Sequence, residues 1–247
     1  MHARQIGLQS TFLDIILPCY NPHENWEQVV IESFTRFCSL AERPDTGLIL
    51  VNDGSNSGIR DNSEDVIRKQ IPNLKWIDLS SNQGKGAALR AGIISSNASF
   101  QIYTDIDFPY RTESMVELWK ILQTDEYSVV AAVKDKDYYN HLPAIRSLIS
   151  KSLQTMTRLL LGLRISDTQC GLKGMNNRGK VWFLKTTIDR YLFDLEFIFL
   201  VSRSKHDNVL AMSATVRPEI VFSKMHLGIL IRESGNFIRI LIKRIAN

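Results

Sequence analysis

No run in this 247-residue chain approaches the ~20 apolar residues that a membrane-spanning helix needs. The first residues, Met-His-Ala-Arg-Gln-Ile-Gly, lack the apolar centre of a secretory signal, so the chain is not expected to cross a membrane by itself. Cysteine is scarce. Cys19, Cys38 and Cys170 lie far apart with no CxxC pair, which argues against a zinc site or disulfide framework and for a reducing cytoplasm. Cys19 reads as a small buried residue rather than a nucleophile. Excess charge is also scarce at +4, and residues 224–247 account for all of it: Lys224, Arg232, Arg239, Lys243 and Arg244 face one acid, Glu233. A charge confined to one end, without interleaved aromatics, argues against nucleic acid as a partner. What is present is ordinary for a globular protein, with 44% apolar residues, enough for a substantial core.

Strand and helix patterns alternate. Leu13–Leu17 is an apolar strand ending in Pro18-Cys19-Tyr20-Asn21-Pro22, and residues from Glu24 to about Leu40 follow with helical spacing. Leu48–Val51 is a short strand that breaks at Asn52-Asp53-Gly54-Ser55, before a polar helix over Arg60–Gln70 that stops ahead of Pro72. Leu74–Leu79 is a third strand, and Gly84-Lys85-Gly86 opens an Ala-rich helix over Lys85–Ser95. The segment 100–107 is a fourth strand; a helix over Glu113–Leu122 and a strand over Ser128–Val133 follow. This alternation predicts an α/β fold: a mainly parallel sheet flanked by helices on both faces. Ligands of such sheets sit beyond the carboxyl ends of the strands, where all four polar clusters fall, so that edge is expected to bind a nucleotide. Beyond His141 the spacing predicts a helix over Pro143–Leu163, a polar loop over Ser166–Gly171, a helix near Asn177–Thr187 and an acidic helix start at Phe193–Phe197. A strand over Val209–Val216 and a last helix over 225–245 complete the pattern. One domain is expected, with a nucleotide-binding half over 11–135, an acceptor half over 136–223 and a basic amphipathic helix over 224–247.

Asp105 and Asp107 end the fourth strand two residues apart, which along a strand places both carboxylates on one side. Two such carboxylates repel unless a cation lies between them or one is protonated. Mg²⁺ or Mn²⁺ suits oxygen ligands and often keeps only one or two protein carboxylates, with phosphates completing its shell. A solvated turn is the competing reading of the pair alone; three preceding strand–loop–helix units favour the metal.

Taken together, Ile16-Leu17-Pro18-Cys19-Tyr20-Asn21, Val51-Asn52-Asp53-Gly54-Ser55, Asn82-Gln83-Gly84-Lys85-Gly86 and Asp105-Ile106-Asp107 resemble the family 2 glycosyltransferases, whose fold is GT-A. Arg146 with Ser150, Asp167-Thr168-Gln169-Cys170-Gly171, Phe193-Asp194-Leu195-Glu196 and Phe222-Ser223-Lys224 extend the resemblance to the polyprenol-phosphate branch, which includes dolichol-phosphate glucosyltransferases and mannose synthases. It implies an inverting, metal-dependent hexosyltransferase with a nucleotide-sugar donor. Asp105 would contact ribose or metal-bound water, and Asp107 would be the firmer ligand. Asp53 would accept from the base N–H, with Pro18, Tyr20 and Asn21 around base and ribose. Gly84 and Gly86 would let backbone approach the donor, and Lys85 is either a phosphate contact or a solvated lysine.

For a lipid-phosphate acceptor, the resemblance points to Arg146, Ser150, Gln169, Ser223 and Lys224, with Lys134 where relatives carry arginine. Lysine makes a point contact there rather than a bidentate one. A saccharide hydroxyl, as in cell-envelope polysaccharide synthesis, would instead need a general base, for which Asp167, Asp194 and Glu196 are the candidates. UDP-glucose is the expected donor. The last helix carries Leu227, Ile231, Ile238 and Leu241 on one stripe and Arg232, Arg239 and Lys243 on the opposite one. Such a helix either lies in a membrane interface or packs on its own core with a basic outer face; the first would make the enzyme peripheral at the cytoplasmic membrane face. A non-catalytic nucleotide-sugar or lipid-phosphate sensor is the alternative class.

Overall fold

The computed structural model describes residues 11–135, 154, 155, 157–163, 165, 167–218 and 227–245. In chain order the elements are β1 (Leu13–Cys19), α1 (Trp26–Leu40), β2 (Gly47–Asn52), α2 (Ser63–Gln70), β3 (Leu74–Asp78), α3 (Lys85–Ser95) and β4 (Phe100–Tyr103). Then come α4 (Thr112–Leu122), β5 (Val129–Lys134), β6 (Lys173–Asn176), α5 (Asn177–Phe183), α6 (Phe193–Ser202), β7 (Val209–Ala214) and α7 (Leu227–Ile245). Of the helix expected over Pro143–Leu163, residues 154, 155 and 157–161 are described and are helical.

Seven strands form one sheet in the order β3-β2-β1-β4-β6-β5-β7. The pairings β1–β2, β1–β4, β2–β3 and β5–β7 are parallel, while β6 runs antiparallel between β4 and β5. Strand β6 is absent from the sequence expectation. Its four residues, Lys-Gly-Met-Asn, are poor strand formers, and two neighbouring edges impose the extended backbone. Gly174 suits the packing there, since a Cβ would press on the Leu118 and Leu122 methyl groups of α4.

Strand pleating sorts the core into two layers. Leu13, Ile15, Leu17, Leu48, Leu50, Ile102, Val130 and Ala132 face α1, α2 and α4, where Phe37 and Trp119 are buried. Ile16, Ile49, Val51, Tyr103, Val129 and Ala131 face the opposite way, against Leu89 of α3, Phe183 of α5, Phe197 of α6 and Phe237 and Ile240 of α7. Each fully buried aliphatic or Phe side chain contributes about 1.5–3 kcal/mol. From β1 the chain steps outward through β2 and β3, then returns to β4 on the other side of β1. A crevice opens at that reversal, beyond the carboxyl ends of the strands.

Two sequence expectations are corrected here. Strand β4 ends at Tyr103, so Asp105 and Asp107 stand in a turn closed by the Phe108 N–H to Asp105 carbonyl bond at 3.0 Å. The turn, not the pleat, brings them together. On α7, the face packed on the protein carries Glu233, Phe237 and Ile240, whereas Ile238 and Ile242 are exposed beside Arg239. The helix therefore packs on the core and still presents an apolar outer surface. No helix among the described residues is long and apolar enough to cross a membrane.

Candidate active site

A cavity of about 490 Å³ fills the crevice. Its walls come from the loop after β1 (Pro18 to Glu24), Asp53 after β2, Asn82, Gly84 and Lys85 at the start of α3, Asp105 to Asp107 after β4, and Arg190 and Tyr191 before α6. All four polar clusters of the sequence reading, from Pro18 to Asp107, thus meet in one hollow.

Asp53 is buried and braces the loop that precedes α3. Its Oδ1 accepts from Gln83 N–H at 2.7 Å, and its Oδ2 accepts from Gly84 N–H at 2.9 Å and the Asn82 amide at 3.1 Å. A carboxylate offers about four acceptor positions, so a base N–H can claim what remains. Asn21 is committed in the same way. Its side-chain oxygen accepts from Asn56 N–H at 2.9 Å and Ser57 N–H at 3.2 Å, tying the β1 loop to the β2 loop. Tyr20 is exposed on the cavity wall beside Pro18.

Gly84 lines the cavity, and the protein's own loop also approaches both glycines: a Cβ on Gly84 would meet the Asp189 carbonyl, and one on Gly86 would meet the Ile188 carbonyl and Phe193. Gly86 N–H donates to Asp189 O at 2.7 Å and Ala87 N–H does so at 3.3 Å, so these helix-start amides are already satisfied. The helix start is thereby clamped, with Lys85 projecting from it.

Lys85 forms an ion pair with Asp105 through Oδ1. Asp105 Oδ2 lies against Gly171, where any Cβ would overlap it. Gly171 is held by its N–H donating to Tyr110 Oη at 2.9 Å. Asp107 is exposed, and its backbone carbonyl accepts from Arg217 Nη2 at 3.0 Å. Desolvation by the cavity walls and then the Asp105 charge push the Asp107 carboxyl above its ordinary range. Two oxygen-donor side chains two residues apart, with Gly171 behind Asp105, fit a hard divalent ion. Among the described residues no group of three His, Cys, Asp or Glu could hold a metal, so such an ion would take Asp105 and Asp107 with phosphate and water.

Below this floor lies a buried network. Asp194 accepts from Tyr103 Oη at 2.6 Å and from Lys173 Nζ at 2.7 Å, and Lys173 also donates to the Cys170 carbonyl at 2.5 Å. Asp167 pairs with Lys134 at 3.0 Å and accepts from Gln169 N–H at 3.3 Å. Burial pushes the Asp167 carboxyl up, but the Lys134 charge and hydrogen bonds outweigh it and hold the group below its usual range. Gln169 Nε2 is buried and has no hydrogen-bond partner among the described residues. Glu196, expected as a candidate base, lies elsewhere. It accepts from Thr187 N–H and Ile188 N–H, both at 2.8 Å, and from Lys243 Nζ at 2.5 Å, joining α6 to α7. Arg146, Ser150, Ser223 and Lys224 lie outside the described residues.

Sequence reasoning missed Arg190, Tyr191, Tyr110 and Arg217. The first two lie just before the acidic helix start, and an Arg-Tyr pair at that junction was the available signal.

The glycosyl transferase family 2 model matches residues 14–179. A dolichyl-phosphate beta-glucosyltransferase of Trichomonas vaginalis is 25% identical over 94% of this chain and 74% of its own length. One of Dictyostelium discoideum is 23% identical over 79% of this chain and 64% of its own length. Among solved structures, glucosyl-3-phosphoglycerate synthase of Mycobacterium tuberculosis, in complex with Mn²⁺, UDP and phosphoglyceric acid, superimposes with a TM-score of 0.63. That match has 18% identity and covers 95% of this chain and 78% of the other. The switch-point cavity, the paired aspartates and these matches agree: the chain has the GT-A fold and belongs to glycosyl transferase family 2.

Proposed function

We propose that this glycosyltransferase moves glucose from UDP-glucose to a dolichyl or other polyprenyl phosphate, inverting the anomeric centre. The observation that carries the reading is the cavity that Asp105 and Asp107 line together with Tyr20 and Asp53, in a chain similar to dolichyl-phosphate beta-glucosyltransferases. Uracil and ribose would lie along Pro18, Tyr20 and Asn21, with the remaining acceptor capacity of Asp53 toward the base. Lys85 would meet the diphosphate. Asp105 and Asp107 would hold Mg²⁺ or Mn²⁺, whose chemistry when bound is to neutralise the departing diphosphate. An acceptor phosphate oxygen then attacks the anomeric carbon from the face opposite UDP, and the bond to the diphosphate oxygen breaks.

The state of the carboxylates favours a phosphate acceptor over a saccharide hydroxyl. A phosphate is already an anion and needs no base, whereas a hydroxyl does. Asp167 is held ionised by Lys134, Asp194 is neutralised by Lys173, and Glu196 faces α7. Lys134 and Gln169, which both contact Asp167, would serve the acceptor phosphate together with Arg146, Ser150, Ser223 and Lys224.

Exposed Ile238 and Ile242 on α7, with Leu159 and Leu160 nearby through the Arg244-to-Leu160 carbonyl bond, support peripheral contact with an anionic membrane. The test of the activity is transfer of labelled glucose from UDP-glucose into a mild-acid-labile, organic-extractable product, lost by at least 100-fold in Asp107→Ala. Label entering an oligosaccharide and no lipid phosphate would reject the acceptor assignment.

A further inference from the structure

We infer that Lys85 occupies the cation position at Asp105 and leaves it only when a nucleotide diphosphate arrives, so that divalent ion and nucleotide load together and each binds weakly alone. The inference rests on the donor-site reading above and adds an order to it.

Asp105 already carries a cation: Oδ1 holds the Lys85 ammonium, while Oδ2 occupies the space that a Cβ on Gly171 would fill. A divalent ion entering at Asp105 without nucleotide must therefore either displace Lys85 or bind the same carboxylate beside a like charge. Displacement needs another anion for the lysine. Asp194 is the next charge that Lys85 senses, but it already accepts from Lys173 and Tyr103. Asp107 is the carboxylate the ion itself requires. The backbone cannot withdraw either, because Gly86 N–H and Ala87 N–H are pinned to Asp189 O and Gly84 has φ 106°. What can move is the side chain, which is partly exposed toward the cavity. An incoming diphosphate supplies the missing anion, accepts Lys85, and frees Asp105 Oδ1 for the ion. Each ligand thus removes a cost that the other would meet alone, which is positive coupling and must be reciprocal.

The experiment is Mn²⁺ titration followed by the electron paramagnetic resonance signal of free Mn²⁺, with and without saturating UDP, for wild type, Lys85→Met and Arg190→Gln. Arg190→Gln removes a cavity charge that does not touch Asp105. Wild type is expected to bind Mn²⁺ at least tenfold more tightly with UDP than without. Lys85→Met should bind Mn²⁺ alone at least tenfold more tightly than wild type and show a smaller gain from UDP, with Arg190→Gln within threefold of wild type for Mn²⁺ alone. Unchanged Mn²⁺ affinity in Lys85→Met, or equal tightening in Arg190→Gln, overturns the inference while leaving the donor site intact. Failure of wild type to bind Mn²⁺ even with UDP overturns the donor-site reading and the inference together. Lys85→Gln serves in the same assay if the methionine variant does not fold.

Discussion

Replacing Lys173 with methionine keeps most of the aliphatic volume and removes the ammonium that neutralises Asp194. Both partners are out of water, with side-chain exposures of 0% and 4%, at 2.7 Å. The Tyr103 hydroxyl at 2.6 Å would remain on the carboxylate, but a neutral donor does not replace a charge in a low-dielectric interior. Removing one member of a buried pair costs about 3–5 kcal/mol, because the other charge is left uncompensated. For a chain of this size each kcal/mol moves the melting temperature by about 2–4 °C, so Lys173→Met is expected to melt roughly 6–20 °C below wild type. Adding Asp194→Asn should recover much of the loss, since the amide oxygen still accepts from Tyr103 and no charge is stranded. Thermal melts and urea titrations of the two single variants and the double variant form a double-mutant cycle. A loss under about 1 kcal/mol in Lys173→Met, or a double variant no better than the worse single one, would refute the account of the pair as the charged floor beneath Asp105.

Glu196 is pushed up by burial but held below its ordinary range by Lys243 and by the amides of Ile188 and Thr187. Its stabilisation is therefore present above the unfolded carboxyl value of about 4.3 and lost as pH falls through the lower folded value. Acid titration of stability should show a steeper decline below about pH 4.5 in wild type than in Glu196→Gln; parallel curves would contradict this. Burial, then the Glu27 charge, push the Cys19 thiol up to about 12. Iodoacetamide at pH 8 should leave Cys19 unmodified in the folded protein and label it readily in urea, as read by mass spectrometry. Ile238→Ser with Ile242→Ser should weaken sedimentation with anionic vesicles several-fold while shifting the melting temperature by less than about 2 °C, since both side chains are exposed. Undiminished vesicle binding would dissociate α7 from the membrane.

Local patterns carried most of the fold and most of the residues that line the cavity. Apolar runs ending in polar clusters at Pro18–Asn21, Asn52–Ser55, Asn82–Gly86 and Asp105–Asp107 announce four strands and their common edge, because strand burial and loop chemistry are both written in consecutive residues. Strand β6 could not be read this way. Its extended form comes from hydrogen bonds to β4 and β5, which are distant in the chain, and no local preference of Lys-Gly-Met-Asn competes with them. The same limit applies to what the polar residues do. Asp53 and Gly84 were visible as site residues, yet the neighbours that claim their hydrogen bonds and their space, the 82–84 amides and the 188–189 carbonyls, come into contact only on folding. Asp194 and Glu196 stand two residues apart on one short helix with opposite fates. One lies under the cavity floor with Lys173; the other is drawn to Lys243 on α7. A charge's partner is set by position in space, so sequence could name both carboxylates while packing alone assigned their cations.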